Sequence, residues 1–327
     1  MAARPTPSSP EIVKMPSSSI PAKVFLLGEY AVLSGAPALV AAIGPRFSLG
    51  PVSTGAVSTR NSSDDFFLRN SIHPESPAGR LLASVNSPEL EGLAFEDPFH
   101  GQGGFGASTA LFALIYKKLG KSLGWDLSWQ AVWKRYRELT TSAQPPSGAD
   151  LVAQWTGGVC GFDPSTLTVE NLSSAFDWKK IIVFSATHQT GRKVRTHEHL
   201  AELGRGDRSE MSASRQELTQ KLSRIIHDAR VAIGARDPES LGLAFTRYAE
   251  TLCKWDLEIA STTQDRRHLA AISGVLGVKG AGALQSDAII ALVSDRCDRN
   301  HVVAEATARG LRLVTSALTT EAGVSDV

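Results

Sequence analysis

The sequence of 327 residues has few cysteines, no excess of one charge and no long apolar run. Its three cysteines, Cys160, Cys253 and Cys297, are odd in number and far apart, which excludes a disulfide framework and zinc-ligand spacing. The 34 basic residues balance the 33 acidic ones, so no overall field favours nucleic acid or an anionic membrane. No apolar run approaches the roughly 20 residues that span a bilayer. We therefore expect a cytoplasmic protein with no nucleic-acid or membrane partner.

Composition divides the chain into a tail and two halves. Residues 1–20 are rich in proline and serine and lack the apolar core of a signal peptide, which predicts a flexible tail. Strand-like patterns dominate the first half and helical periodicity the second, with a composition shift near residues 171–178. We therefore predict an α+β protein with domains over residues 21–172 and 173–327. The last residues, 319–327, are expected to fray.

Residues 21–38, PAKVFLLGEYAVLSGAPA, place a lysine, a carboxylate and a tyrosine among strand-forming residues. Lys23, Glu29 and Tyr30 are costly to bury unless each of them has a polar partner or a role. One interpretation is a strand at the edge of a sheet, with these side chains in water. The other is a functional site, and this segment alone does not decide between the two.

A glycine-rich segment, GQGGFGAS at residues 101–108, opens directly into a helix with apolar residues at Leu111, Leu114, Ile115 and Leu119. Glycine lets a ligand approach the backbone closely, and a helix N-terminus presents free N–H groups and a positive dipole end. The segment therefore predicts a phosphate site. It lacks the Gly-Lys-Ser/Thr ending of a Walker loop, and also the spacing and preceding strand of a dinucleotide fingerprint.

Three motifs, in order, are similar to those of the GHMP kinase superfamily, whose members phosphorylate galactose, homoserine, mevalonate and phosphomevalonate. They are PAKVFLLGEYAVL from residue 21, GFGAST at 104–109 and KGAGALQSDAIIAL at 279–292. PSGAD at 146–150 is similar to the segment that carries a catalytic aspartate in mevalonate kinases. The resemblance covers residues 22–314. It implies a two-domain GHMP kinase fold with an S5-like N-terminal domain, a ferredoxin-like C-terminal domain and an active site between them.

The resemblance implies that Lys23 and Asp150 are the catalytic pair. Lys23 would neutralise charge near the transferred phosphoryl group, and Asp150 would accept or orient the proton of the phosphoryl acceptor. ATP and Mg²⁺ are the implied cofactors, since Mg²⁺ needs only a few protein oxygens and keeps several waters. The implied metal ligands are Ser108 and Glu138, the latter one position away from the carboxylate of the family. The implied nucleotide contacts are Gly103, Gly104, Gly106, Ala107, Ser108 and Thr109.

The resemblance also favours a small acceptor that already carries a phosphate. Gly-Glu-Tyr at 28–30, with Lys279 and Asp287 beside the third motif, looks more like phosphomevalonate kinases than mevalonate kinases. Arg192 and Lys193 supply cations that a substrate phosphate needs, although a solvated basic loop has the same composition. The implied substrate contacts are Lys23, Glu29, Tyr30, Ser147, Gly148, Arg192, Lys193, Lys279, Gly282, Ala283 and Ser286.

The third motif departs from the family pattern, and residues 277–282, which overlap its start, are predicted to form a glycine-containing loop. Leu284, Gln285 and Ser286 stand where the family has small residues, mostly glycine, and such side chains could restrict the approach of a ligand. We expect an ATP-dependent kinase that converts phosphomevalonate to diphosphomevalonate, a phosphorylated isoprenoid precursor. A mevalonate kinase and a catalytically silent ligand-binding relative are the alternatives. The oligomeric state stays open between monomer and homodimer.

Overall fold

A computed structural model describes residues 17–51, 72–85, 88–140, 145–186 and 208–326. Within these ranges the chain forms ten strands, arranged in two antiparallel sheets, and eight α-helices. This confirms the predicted α+β class. None of the helices in the described ranges combines the length and the apolar character needed to cross a membrane.

The first sheet belongs mainly to the N-terminal half of the chain. Its strands are β1 (Ser18–Leu27), β2 (Ala38–Pro51), β3 (Leu93–Glu96), β4 (Val159–Asp163), β5 (Thr168–Asn171) and β10 (Ser325–Asp326). Their order is β10-β1-β2-β4-β5, with β3 also paired to β2. The helices of this half are α1 (Pro77–Ala83), α2 (Ala107–Leu123), α3 (Trp129–Glu138) and α4 (Ala149–Thr156). Helices α2 and α4 both pack against β1 and β2.

The first sheet is buried on both faces, which explains why β1 and β2 are apolar at most positions. Leu39, Ala41 and Ile43 of β2 join one hydrophobic cluster, whereas Ala38 and Val40 join another. Side chains alternate between the two faces of a strand, so the two clusters lie on opposite sides of the sheet. A polar side chain in β1 therefore meets protein rather than bulk water.

The second sheet belongs to the C-terminal half. Its strands are β6 (Ile181–Ser185), β7 (Val275–Ala281), β8 (Ala288–Val293) and β9 (Arg312–Thr315), in the order β7-β8-β6-β9. The helices are α5 (Arg208–Ala235), α6 (Pro238–Lys254), α7 (Ala260–Ala270) and α8 (Arg299–Ala308). Every residue of the two central strands, β6 and β8, is buried. This explains their uninterrupted apolar sequences.

The loop predicted over residues 277–282 is wrong for most of its length, because β7 continues to Ala281. Its glycines serve close packing instead. A Cβ atom on Gly277 would lie 2.1 Å from the carbonyl oxygen of Gly242 in α6. A Cβ atom on Gly280 would lie 2.5 Å from the Cβ atom of Gln285. Glycine is thus required where a helix and a turn approach this strand.

The C-terminal residues return to the first sheet instead of fraying. Strand β10 pairs with β1 at Ser18 and Ser19, so the predicted tail also overlaps the start of β1. Arg46 donates hydrogen bonds of 2.8 Å to the carbonyl oxygens of Ala322 and Gly323. The end of the chain is thereby attached to the N-terminal half.

The predicted domain boundary, between residues 172 and 173, falls between β5 of the first sheet and β6 of the second. It stays a prediction, and the structure adds that β10, at the far end of the chain, belongs to the first sheet. A division by sequence range alone would therefore miss this returning segment.

Candidate functional site

A cleft of about 590 Å³ brings together residues from all four segments that the sequence singles out. This volume lies within the range of small-molecule sites. The lining residues come from β1, the glycine-rich loop, the starts of α2 and α4, and the end of the third motif. Segments that are up to about 260 residues apart in the sequence thus share one cavity.

The glycine-rich loop delivers the N-terminus of α2 to the cleft. Gly104 and Gly106 have φ values of 88° and 90°, in the left-handed region that favours glycine. The first hydrogen bond of the helix runs from Ala110 N to Gly106 O, at 2.8 Å. The amides of Ala107 and Ser108 therefore precede the helical ladder, and both residues line the cleft. This geometry suits an anionic ligand.

Gln154 of α4, which the sequence did not single out, holds this loop in place. Its side chain is fully buried, and its Nε2 donates to Pro21 O at 2.8 Å. Its Oε1 accepts a hydrogen bond from the Thr109 hydroxyl. One amide group therefore ties β1, α2 and α4 together beneath the cleft. A Cβ atom on Gly106 would lie only 2.9 Å from this amide, so the loop can pack against Gln154 because residue 106 is a glycine.

Lys23 enters the cleft from β1. It is only 7 % exposed, and its ammonium lies 4.9 Å from the ring centroid of Phe25. The backbone N–H of Lys23 donates to Phe105 O in the glycine-rich loop, at 3.1 Å. The strand therefore fixes the position of the lysine relative to the N-terminus of α2. This excludes the interpretation of residues 21–38 as an edge strand with its polar side chains in water.

Asp150 lies in the first turn of α4, and it lines the same cleft as Lys23. The helix is capped by Gly148, at φ 72°, where a Cβ atom would lie 2.6 Å from the indole of Trp133. The Trp133 Nε1 donates to Ser147 O at 2.7 Å, which fixes the loop before the helix. Ser147 lines the cleft, whereas Gly148 lies buried behind it. The catalytic role of the Lys23–Asp150 pair stays a prediction.

The structure corrects the prediction that Glu138 is a metal ligand. Glu138 is exposed and lies near Lys134 and Arg135, at 4.0 and 3.6 Å, and it does not line the cleft. The residue of α3 that faces the cleft is Tyr136. A step of two residues turns a helix by about 200°, so Glu138 points away from the site. Burial, together with the nearby Asp150 carboxylate, raises the pKa of the Tyr136 hydroxyl.

Lys279 is also corrected, because it does not line the cleft. Its side chain is fully buried, and its ammonium donates to Glu29 Oε1 at 2.7 Å and to Phe25 O at 3.3 Å. Burial lowers the pKa of Lys279, and the Glu29 carboxylate opposes this shift. Glu29 itself lines the cleft, so Lys279 contacts a cleft residue without lining the cleft.

The segment Gly28–Tyr30 is held by the C-terminal half of the chain. The Tyr248 hydroxyl in α6 donates to Glu29 O at 2.6 Å and accepts from Gly28 N at 3.1 Å. The Tyr30 hydroxyl accepts from Leu284 N at 2.7 Å, and Tyr30 lines the cleft. Burial raises the pKa of both tyrosines, so both hydroxyls stay neutral near neutral pH. The sequence did not single out Tyr248, because its partners lie about 220 residues away.

The third motif contributes Gly282, Ala283 and Asp287 to the cleft but not the three residues between Ala283 and Asp287. Gly282 and Ala283 line the cavity, and their role as substrate contacts stays a prediction. Ser286 does not line the cavity, since its buried hydroxyl donates to Ala283 O at 2.7 Å. Leu284 and Gln285 also lie outside the lining. The unusual side chains of this motif therefore do not enter the cleft.

Asp287 is a cleft residue that the sequence marked only as a feature of the family branch. It lines the cavity next to both loops. A Cβ atom on Gly104 would lie 2.4 Å from the Cβ atom of Asp287, and one on Gly282 would lie 2.1 Å from its Oδ2. The sequence signal was its position between the third motif and the buried strand β8.

The remaining predicted contacts fall into two groups. Arg192 and Lys193 lie outside the described residues. Ser108 is exposed at the start of α2 and lines the cleft with Asp150, so oxygen donors suited to Mg²⁺ are present. The described ranges contain no group of three or more His, Cys, Asp or Glu residues that could hold a metal by themselves.

No protein-family model matches the sequence, and no curated protein matches it. Solved structures do match over nearly the whole chain. The mevalonate kinase of Methanococcus jannaschii is 15% identical, with a TM-score of 0.65 over 97% of this chain and 98% of that one.

Two further structures match in the same way. The phosphomevalonate kinase of Streptococcus pneumoniae is 14% identical, with a TM-score of 0.68 over 94% of this chain and 99% of that one. The galactokinase of Lactococcus lactis, complexed with galactose, is 13% identical, with a TM-score of 0.67 over 95% of both chains. The chain therefore has the fold of the GHMP kinases, as the sequence motifs predicted.

Proposed function

We propose that the chain is an ATP-dependent kinase that phosphorylates a small molecule. The observation that carries this proposal is that Lys23, Asp150 and the N-terminus of α2 line one cleft. Amides at a helix N-terminus bind phosphate, and phosphoryl transfer requires positioning and charge stabilisation more than covalent chemistry. The GHMP kinase fold supports the proposal, because the similar structures include kinases of three small molecules.

Each group has a distinct task in the proposed reaction. The amides of Ala107 and Ser108 hold phosphate oxygens of ATP, and the Lys23 ammonium stabilises the charge of the transferred phosphoryl group. Asp150 orients the acceptor and receives a proton if the acceptor is a hydroxyl. The Ser108 hydroxyl would hold Mg²⁺, with phosphates and water completing its shell. When bound, the metal neutralises phosphate charge.

For the acceptor we propose phosphomevalonate, with mevalonate as the alternative. The cleft is lined by the apolar residues Phe25, Val32 and Leu33 as well as by Lys23, whose ammonium lies 4.9 Å from the ring centroid of Phe25. A short, branched anion suits such a lining, whereas each hydroxyl of a sugar needs a polar partner when it is buried. This observation favours an isoprenoid precursor over galactose.

The catalytically silent alternative was raised by the third motif. The side chains of Leu284, Gln285 and Ser286 do not line the cleft, so they leave the approach to Gly282 and Ala283 open. The cleft also retains both Lys23 and Asp150. These two observations support an active enzyme over a binding-only relative.

The two acceptors make different demands on Asp150. A hydroxyl must lose a proton as it attacks, whereas a phosphate monoester with a second pKa near about 6 is already ionised at neutral pH. With mevalonate, Asp150→Asn should therefore lower the rate at every pH. With phosphomevalonate, its effect should shrink as the pH rises above about 6.

The test is ADP release from MgATP, with mevalonate, phosphomevalonate, homoserine and galactose as separate acceptors. The proposal predicts turnover with phosphomevalonate and none with galactose. Turnover with mevalonate alone would keep the kinase and overturn the proposed acceptor. No turnover with any of the four, in protein shown to bind ATP, would contradict the proposal and favour the binding-only relative.

A further inference from the structure

Glu29 and Lys279 form a buried ion pair directly behind the cleft wall. Their charged groups lie 2.7 Å apart, and the side chains of Glu29 and Lys279 are 7 % and 0 % exposed. The second carboxylate oxygen of Glu29, Oε2, is buried and has no hydrogen-bond partner among the described residues. Lys279 is therefore the main partner of a carboxylate that belongs to the cleft.

The Glu29–Lys279 pair affects the electrostatic potential that a ligand meets beside Glu29 in the cleft. Glu29, Asp150 and Asp287 line the cavity with three carboxylates, and Lys23 lines it with one ammonium. A charge buried in the protein acts through a lower effective dielectric than a charge in water, so its field extends several ångströms into the cleft. Lys279 is thus close enough to cancel the field of Glu29 without touching a ligand.

Stability alone does not explain why two charges are buried here. A buried ion pair is often no more stabilising than an apolar pair of similar volume, because both charges lose their hydration. One carboxylate oxygen of Glu29 is also buried without a hydrogen-bond partner in the part of the chain that the structure describes. A pair that costs desolvation and lies against a cleft is a candidate for a role in ligand binding.

We propose that Lys279 determines specificity by acting through Glu29: it cancels the negative charge of the wall, so that an anionic phosphoryl acceptor binds beside it. Lys279 is then a positioning and charge-balancing residue rather than a substrate contact. The proposal rests on the proposed function for the identity of the acceptor. It predicts that the penalty for losing Lys279 grows with the negative charge of the acceptor.

Two other roles for the pair make different predictions. In a purely structural role, the loss of Lys279 lowers the melting temperature but leaves acceptor affinity unchanged in folded protein. In a direct contact, Glu29 accepts a hydrogen bond from the acceptor, so Glu29→Gln weakens binding by itself. In the proposed role, Glu29→Gln removes a repulsive charge and does not weaken the binding of an anion.

The experiment compares wild type, Lys279→Met, Glu29→Gln and the double variant. Isothermal titration calorimetry gives the dissociation constants of mevalonate and phosphomevalonate, and thermal unfolding reports folding. Lys180→Met is the matched control, since Lys180 pairs with Asp295 at 2.6 Å and does not line the cleft. Turnover of the wild type is measured alongside.

We expect Lys279→Met to weaken phosphomevalonate binding about tenfold or more, as unbalanced charge at this range implies. Mevalonate binding should weaken less, because it lacks the phosphate charge of about −2. The double variant should return to within about threefold of the wild type, since both charges are gone. The Lys180→Met control should bind both acceptors like the wild type.

Several results would overturn the inference. They are unchanged phosphomevalonate affinity in folded Lys279→Met, or a tenfold loss in Glu29→Gln or in the double variant. If Lys279→Met does not fold, Glu29→Gln still decides, because it leaves the positive charge of Lys279 uncancelled behind the cleft. The proposal then predicts that phosphomevalonate binds more tightly than to the wild type, and unchanged binding overturns it. A wild type that binds without turnover overturns the proposed function alone. A wild type that binds neither acceptor overturns both.

Discussion

The glycine-rich loop and the third-motif loop meet where Gly104 packs against Asp287, and both use left-handed backbone there. The first loop does so with glycine, at Gly104 and Gly106. The second does so with side chains present, since Leu284 and Gln285 have φ values of 50° and 57°. Left-handed backbone costs a residue with a side chain roughly 1–2 kcal/mol.

The difference lies in what holds each loop. Three hydrogen bonds fix the third loop: Leu284 N donates to the Tyr30 hydroxyl at 2.7 Å, Ile259 N to Leu284 O at 3.1 Å, and the Thr262 hydroxyl to Gln285 O at 3.0 Å. Strained backbone persists where surrounding contacts over-determine it. The glycine-rich loop, which in the proposed function presents its amides to a ligand, adopts left-handed backbone at glycines, which have no side chain to strain it.

The largest expected effect comes from a pair of substitutions in the glycine-rich loop. The pair distinguishes a steric clash from backbone strain alone. Gly104→Ala would place a Cβ atom 2.4 Å from Asp287, whereas Gly101→Ala, at φ 81°, meets nothing within 4 Å. Both substitutions strain the backbone, but only the first forces the loops apart. We expect Gly104→Ala to lower kcat/KM about 100-fold, because small displacements at such sites are costly.

Gly101→Ala is the matched control for that measurement and should lose far less activity. Steady-state kinetics and thermal unfolding of both variants provide the comparison. Equal losses in the two variants would show that backbone strain, rather than contact between the loops, limits the site.

The next effect concerns the hydroxyl that holds the third loop. Tyr30→Phe removes the acceptor of the part-buried hydrogen bond from Leu284 N, which should lower the free energy of unfolding by about 0.5–1.5 kcal/mol. Acceptor affinity should weaken more than ATP affinity, because Tyr30 and Ala283 line the cleft beside this bond.

Tyr116→Phe controls for loss of a tyrosine hydroxyl elsewhere, since that hydroxyl donates to Asp126 O at 3.0 Å. It should lower stability by a similar amount and leave acceptor affinity unchanged. Chemical denaturation and calorimetry separate the two effects. The same loss of acceptor affinity in both variants would contradict a local role for Tyr30.

A smaller effect is expected when glycine is introduced into the third loop. Gln285→Gly relieves left-handed strain and removes a buried Oε1 that has no hydrogen-bond partner among the described residues. It also loses packing and increases the conformational entropy of the unfolded chain. We expect the free energy of unfolding to change by less than about 1 kcal/mol, with turnover nearly unchanged. A large loss of turnover would show that the Gln285 side chain acts in the site.

The smallest effect is expected far from both loops, at the C-terminal strand. Asp326 interacts with Lys121, Lys117 and Ser18, and these partners lower its pKa to about 2. Its side chain is 44% exposed, so the interaction should stabilise the fold by less than about 1 kcal/mol.

The pH dependence at Asp326 has a definite sign. A lowered carboxyl pKa stabilises the folded state above the unfolded value of about 3.9, and this stabilisation is lost as the pH falls towards about 2. The difference in stability between wild type and Asp326→Asn should therefore disappear over that range. Denaturation curves at several pH values measure it, and a difference that persists at pH 2 would contradict the assignment.

Local motifs allowed the sequence to predict the parts of the site that are contiguous in the chain. The glycine-rich loop, Lys23 and Asp150 each stand in a short segment whose residue types indicate a phosphate site or resemble known kinases. The α+β class followed from strand-like runs such as IIVFS at 181–185, which become fully buried strands. These features depend on near neighbours, so sequence reasoning reaches them.

The rest of the site depends on tertiary contacts that sequence reasoning does not reach. Gln154 and Tyr248 hold the site through residues more than 100 positions away, apart from Thr109 and Gly106, which lie 45 and 48 positions from Gln154. Tyr136 rather than Glu138 faces the cleft, because a shift of two residues changes the face of a helix. Lys279 was predicted as a substrate contact from its position in the third motif, and a sequence motif does not show whether a side chain is buried away from the cleft.

The most direct test of the account is turnover in Lys23→Met and Asp150→Asn, measured with the acceptor that the wild type uses. ATP affinity and melting temperature are recorded for the same preparations. If these residues act as proposed, Lys23→Met loses about 100-fold or more in kcat at neutral pH, and Asp150→Asn loses as much with phosphomevalonate at about pH 6 or below, while ATP binding and folding stay near wild type. Near-wild-type turnover in both variants would contradict the proposed chemistry of the cleft.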